Sequence, residues 1–413
     1  MIKFLPEIYP DEIVFSYLSR CYARSGYIWN MGFEKEIFSN PNANIDRVFL
    51  NVFSEEFKSL IEEKIGLKNL LVDHTLFKYY ARFLPLDKRK AAIQVALRNE
   101  SHIGRHLPTP KDSPNSCLRY CPMCVKEDRL NYGEAYIHAT HAIPSITVCH
   151  KHCCELVDID FINNRAHNTT FMHLECVYKD IETCTLDQND INVKISRYIA
   201  EVFEQPLNME KDLLIGNFLT NKLKEEYVSP RGEHRNLERL LEDLSKFYIG
   251  STDLTITKRK LAVIYRNLSH NPYEILLISM FQNITPWELC SYAGSSEPRH
   301  LAFDKTVREL YQNGLTKHKI ARILQVNHEV IRQVLMGTYD KPHHPCSTYK
   351  CQRWNWEKID DECCKNFHNK VKGLKRRQIS RPTVAKLFGL RDKTLRNLPR
   401  LRGLIKDYQD KVQ

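Results

Sequence analysis

Two short cysteine pairs constrain this chain more than any other feature. Cys121-Pro122-Met123-Cys124 is a Cys-x-x-Cys knuckle, and 25 residues beyond Cys124 come Cys149 and His152 in a Cys-x-x-His. Two close pairs, separated by enough chain to fold back, are what a tetrahedral zinc site requires. The x-x spacing lets backbone amides donate to the sulfurs of each pair. A redox pair fits less well, because no thioredoxin-like βαβ pattern surrounds Cys121 and Cys124. His150 and Cys153 are alternative donors for the second pair, and Cys154, Cys176 and Cys184 with His173 offer an irregular second zinc set. Four protein donors fill the coordination shell, so the expected zinc is structural, whereas a catalytic ion keeps an open position. Glu134, His138 and His141 suggest a zinc nuclease only weakly, since their spacing matches no metal-hydrolase pattern.

The rest of the chain reads as helix. At 413 residues it is too long for one ordinary domain. DEIVFSYLSRCYARSG places Ile13, Val14, Tyr17, Leu18 and Cys21 at helical spacing, with Asp11 and Glu12 before them and Gly26 after. FSEEFKSLIEEKIGL and DKRKAAIQVALRNESHIG behave alike, and Asp73 is placed to cap DHTLFKYYARFLP. The strand signals, AIPSITVCHKH and CELVDIDFI, lie among the cysteines. Turn-rich stretches at 106–116, 187–190, 229–236 and 250–253 are candidate boundaries. No run of 18 apolar residues provides a membrane helix. The opening MIKFLPEIYPDE has prolines and acids where a signal peptide needs an apolar run, so a reducing, cytoplasmic setting is expected.

Charge is distributed unevenly. Residues 301–413 hold 25 Lys+Arg against 11 Asp+Glu, or +14, so the preceding 300 hold 36 against 39, or −3. Within 370–413 the count is 14 against 3. Such a field favours a polyanion through counterion release.

That basic quarter also carries a repeated frame. In GLTKHKIARILQVNHEVIRQVL, Thr316 caps a helix from Lys317. Ile320, Leu324, Val326, Ile331 and Val334 then fall where a helix-turn-helix needs apolar residues, and Ala321 where it needs a small one. Gln325 stands where a turn glycine is usual. The same frame fits SRPTVAKLFGLRDKTLRNLPRL: Ser380 is the cap, Pro382 lies in the first turn, and Val384, Ala385, Phe388, Gly389, Leu390, Leu395 and Leu398 take the required places, with the second helix ending before Pro399. The outward residues that would meet base edges are Asn327, His328, Glu329, Arg332 and Gln333 in the first unit. In the second they are Arg391, Lys393, Thr394, Arg396 and Asn397. Lys375, Arg376, Arg377, Arg400 and Arg402 would hold phosphates.

The expected fold is therefore mainly α and multidomain, with a zinc-finger module and C-terminal tandem helix-turn-helix units. Its expected divisions are a helical region over 1–116, the zinc module over 117–190, a helical middle over 191–300, a first helix-turn-helix over 301–345, and a second with the basic terminus over 346–413. No phosphate-binding G-x-x-x-x-G-K-[ST] loop is present, and Asp360, Asp361 and Glu362 lack a surrounding sheet pattern for nucleotidyl transfer, so an enzyme is not expected.

These motifs together resemble the TniQ/TnsD family of transposon target-selection proteins. FLPEIYPDEIVFSYLSRCYARSG looks like the family's opening, DHTLFKYYARFLPLDKR continues it, and RYCPMCVKEDRLNYGEAYIHATHAIPSITVCHKHCCELV is most specific, with the family's zinc ligands falling on Cys121, Cys124, Cys149 and His152. YRNLSHNPYEILLISMF (265–281) and WNWEKIDDE (354–362) resemble the TnsD branch more loosely, and short TniQ proteins usually lack a C-terminal reading module. The resemblance implies a bacterial, nucleoid-associated, non-catalytic protein that binds a double-stranded attachment site and recruits an AAA+ ATPase regulator of TnsC type. A TniQ-like member would instead attach to an RNA-guided Cascade complex and its guide RNA.

Overall fold

In a computed structural model the chain is described except for residues 1, 3, 41–44, 99–105, 110–117, 160–170, 213, 233, 252–253, 292–297, 338–355, 375–377, 389, 391–394, 396–397 and 411–413. It divides into two compact units, Met1–Ile331 and Arg332–Gln413.

The first unit opens with α1 (Val14–Ser25), α2 (Asn30–Ile37), α3 (Glu55–Lys64), α4 (Leu67–Asp73), α5 (Phe77–Ala81) and α6 (Leu86–Arg98). Val14, Tyr17, Leu18 and Cys21 of α1 are buried, as is Ile13 just before it. The helix ends at Gly26, whose φ of 78° needs the freedom of glycine. Asp11 and Glu12 do not lie in its first turn. Asp73, expected to cap a helix, instead ends α4, and the hydroxyl of Thr75 accepts from the Phe77 amide at the head of α5.

A short two-stranded ladder, β1 (Arg119–Tyr120) with β2 (Val157–Asp158), brackets α7 (Pro122–Tyr132) and α8 (Ala139–Ala142). The strand signals of the sequence are realised only briefly, as β2 and a tight hairpin. In the hairpin the Leu156 amide donates to Thr147 O (2.9 Å) and the Cys149 amide to Cys154 O (2.8 Å). After α9 (Leu174–Val177) come α10 (Ile191–Glu204), α11 (Ile215–Lys222), α12 (Leu237–Phe247), α13 (Lys258–Ile264), α14 (Pro272–Phe281), α15 (Pro286–Ser291), α16 (Arg299–Gln312) and α17 (Lys317–Ile323); α18 (His328–Met336) crosses the division.

One apolar core runs through this unit from Ile13 to Cys290, so the α1–α6 region, the cysteine region and the following helices are packed together. α14 lies at its heart. Its Ile275, Leu276, Leu277 and Ile278 are all buried, as a helix apolar on every side must be. Gly216 lets α11 approach α13 closely, because a Cβ there would sit 2.5 Å from Ile264 O. Buried guanidiniums stitch the loop after α10: Arg82 donates to Gln205 O and Pro206 O, and Arg89 to Asn208 O and Lys211 O. Among the described residues no helix is long and apolar enough to cross a membrane.

The second unit contains α19 (Trp356–Val371), α20 (Arg381–Leu387) and α21 (Pro399–Asp410) around Phe367, Ile379, Val384, Leu395, Leu398, Leu401 and Ile405. Pro399 opens α21, where a missing amide donor costs nothing. The Asp360 carboxylate, 3% exposed, caps that helix by accepting from the amides of Arg400 (2.8 Å) and Leu401 (2.9 Å).

Candidate metal centre and nucleic-acid face

Local folding brings the two cysteine pairs together. Cys121 is the N-cap of α7, where its sulfur accepts from the Cys124 amide at 3.4 Å. Cys149 and His152 sit in the turn of the 147–156 hairpin, where the His152 amide approaches the Cys149 sulfur at 3.5 Å. Nδ1 of His152 then lies 3.5, 3.3 and 3.7 Å from the sulfurs of Cys121, Cys124 and Cys149, and the last two sulfurs are 3.8 Å apart. Zinc–sulfur bonds of about 2.3 Å and zinc–nitrogen bonds of about 2.0 Å place tetrahedral donors about 3.5–3.8 Å from one another. The four residues therefore have the donors and the spacing to hold a metal ion such as zinc. The other ring nitrogen of His152 meets the Glu127 carboxylate at 3.0 Å, an outer partner that fixes which nitrogen faces the sulfurs.

The alternative donors are disposed of differently. Cys153 turns away to pack with Val148 and Val193. Cys154 is fully buried with its sulfur 3.3 Å from that of Cys121. The irregular set of Cys154, Cys176, Cys184 and His173 is not brought together: Cys176 and Cys184 are exposed, while His173 meets Glu134 at 3.0 Å. Instead, the described residues form a second small cluster from His141, Cys149 and His150.

Glu134 and His138 have structural partners that spacing could not reveal. Glu134 accepts from Tyr9 OH (2.8 Å), Arg20 Nε (2.9 Å) and Arg24. Partial burial opposes its charge, yet Tyr9, Arg24 and Arg20 hold the carboxyl down at about 2. His138 lies between Asp11 (Nδ1, 3.4 Å) and Asp128 (Nε2, 3.1 Å). Burial would depress it, but bonds to those two carboxylates outweigh burial and raise it to about 9. Both ring nitrogens of His138 are therefore taken up by carboxylates rather than turned toward Glu134.

In the basic quarter the repeated frame recurs in local geometry. Thr316 caps α17 through the Lys319 amide (3.4 Å), and Ser380, 64 positions later, caps α20 through the Thr383 amide (3.4 Å). Val326 N–H donates to Ala321 O at 3.0 Å, and Leu390 N–H to Ala385 O at 2.8 Å. These are the same helix-ending bond. Ile320, Ala321, Ile331 and Val334 are buried, as are Val384, Ala385, Leu395 and Leu398. Gln325 has φ 52°, so the backbone does adopt the left-handed turn usually given to glycine.

Of the expected DNA contacts, Asn327 and Arg332 are exposed and His328 and Gln333 half-buried. The Asn327 side chain caps α18 through the Glu329 amide (2.9 Å), and the His328 ring stacks on His318 with centroids 4.1 Å apart. Arg400 and Arg402 lie exposed on α21, and the Arg400 guanidinium pairs with Asp361. Lys375, Arg376, Arg377, Arg391, Lys393, Thr394, Arg396 and Asn397 lie outside the described residues.

Residues 3–156 match the TniQ family model, a span that includes α1 and all four donors of the metal cluster. The Escherichia coli transposon Tn7 transposition protein TnsD is 23% identical over 209 residues, covering 50% of this chain and 41% of that protein. Both findings relate this chain to the TniQ/TnsD family. The similarity spans less than half the length of that relative.

Proposed function

We propose that this chain is a non-catalytic, sequence-specific DNA-binding target selector of a Tn-type transposon, which recognises an attachment site and recruits an AAA+ ATPase regulator of TnsC type. One observation carries the reading: the same cap, small residue and helix-ending bond recur 64 positions apart in the strongly basic quarter, behind a TniQ-matching region. We read the two recurrences as tandem helix-turn-helix units. The first presents Asn327, His328, Arg332 and Gln333 to base edges, and the second presents Arg391, Lys393, Thr394, Arg396 and Asn397. Lys375, Arg376, Arg377, Arg400 and Arg402 hold phosphates, Arg400 by exchanging Asp361 for the polyanion.

In this reading a zinc ion on Cys121, Cys124, Cys149 and His152 is structural, and when bound it supplies a fixed joint between α7 and the hairpin. Glu127 orients the histidine ligand, and Cys121 positions the first turn of α7. The cysteine region and the preceding helices form the part that meets the ATPase.

The test is unbiased selection of DNA bound by the full chain from a genomic fragment pool, with and without the ATPase. The reading expects one strongly enriched site that needs no guide RNA. Uniform enrichment of all sequences would overturn direct readout. Enrichment that appears only with Cascade and follows its guide would establish the RNA-guided adaptor instead.

A further inference from the structure

The cluster beside the four-donor centre is unexplained by that centre. His141, on α8, is 1% exposed, and His150 follows Cys149 in the hairpin. One ligand atom from each of His141, Cys149 and His150 lies within 4.8 Å of the other two. Nδ1 of His141 and both ring nitrogens of His150 are buried with no hydrogen-bond partner. A buried ring nitrogen left without a partner is costly, and native proteins relieve the cost with a bound water or ion. Two imidazoles converging on a cysteine sulfur make a donor set suited to zinc.

We propose that His141, Cys149 and His150 hold a second zinc ion, with the Cys149 thiolate bridging it to the first. The sulfur keeps lone pairs beyond the one given to the first ion. Electrostatics favour the addition: three thiolates, one neutral imidazole and one divalent ion leave the first shell with a net negative charge. A second cation beside it lowers the cost of burying that charge. The second ion occupies residues other than the irregular cysteine set of the sequence, and it ties α8 to the hairpin in addition to α7.

The inference rests on the first centre being metal-loaded, and one measurement separates the two. Full-length protein is saturated with zinc, dialysed against a weak chelator and weighed intact by native mass spectrometry. Two zinc ions per chain are expected in the unaltered protein, and one in His150→Ala and in His141→Gln. The half-buried position of His150 makes the first variant the one that keeps its fold. One zinc in the unaltered protein would overturn the second site alone. Two zinc ions persisting in His150→Ala would also overturn it, by placing the second ion elsewhere. No zinc at all would overturn both sites.

Discussion

The region around the cysteine cluster and the basic quarter use the same residue types to opposite ends. In the first, some arginines are turned inward while Arg24 and Arg129 stay exposed: Arg20 and Arg89 are 2% and 0% exposed, held by Glu12 and Glu134 in one case and by backbone carbonyls in the other. In the second, Lys319, Arg322, Arg332, Arg381, Lys386 and Arg402 are exposed, and the helices beneath them are held by small apolar residues, caps and turns. A guanidinium taken from water must have its donors matched, whereas one left at the surface keeps its charge for a polyanion. Net charge per segment therefore understates how differently the two regions treat their cations.

The sharpest way to break this contrast is to disrupt the cluster of Cys121, Cys124, Cys149 and His152. If the cluster holds zinc as proposed, Cys124→Ala should lose the ion and several kcal/mol of local stability, since metal binding is coupled to folding of its site. Hydrogen exchange should show residues 118–159 losing protection while α20 and α21 keep theirs. Simultaneous loss in both would mean the two regions are not independently held.

A pH titration should separate them next. His138 has its pKa raised from 6.5 to about 9 by Asp11 and Asp128 against the opposing effect of burial. Its contribution is complete below about pH 6.5 and is lost as pH rises through about 9, on the order of 3 kcal/mol in all. Denaturant melts at pH 6 and pH 9.5 should differ accordingly, and His138→Gln should flatten the difference. An unchanged pH slope in that variant would place the effect elsewhere.

Arg332→Ala tests the other side of the contrast. If the exposed guanidinium reads a base edge, the preferred site should lose about 1–3 kcal/mol of binding while unrelated DNA changes little. Equal loss on both would make Arg332 a phosphate contact. The smallest effect belongs to the turn. Gln325→Gly should stabilise the protein by about 0.5–1 kcal/mol, read as a rise in melting temperature, because its backbone is left-handed already. A fall would show that the Gln325 side chain makes up for its backbone conformation.

Local patterns in the sequence were legible where spacing along one element sets the geometry. The donors Cys121, Cys124, Cys149 and His152, the face of α1, and the caps Thr316 and Ser380 all follow from contacts a few residues apart or from a hairpin that closes on itself. Asp73 was misleading because an aspartate before an apolar stretch can as well end one helix as begin the next. Glu134 and His138 lie close along the chain, but their partners Arg20 and Asp11 are more than a hundred residues away, and no period along the chain reports them.

The amino-acid sequence by itself determined the donor set, the helical character and the basic quarter with its twofold frame. Those depend on residue type and on distances fixed by helix and turn geometry. Only the tertiary structure decided which arginines are consumed inside, that Asp360 caps α21 from 40 residues away, and that His141 and His150 converge on Cys149. Such meetings arise when one core draws distant segments together, and the cost of burying each charge or ring nitrogen then selects its partner.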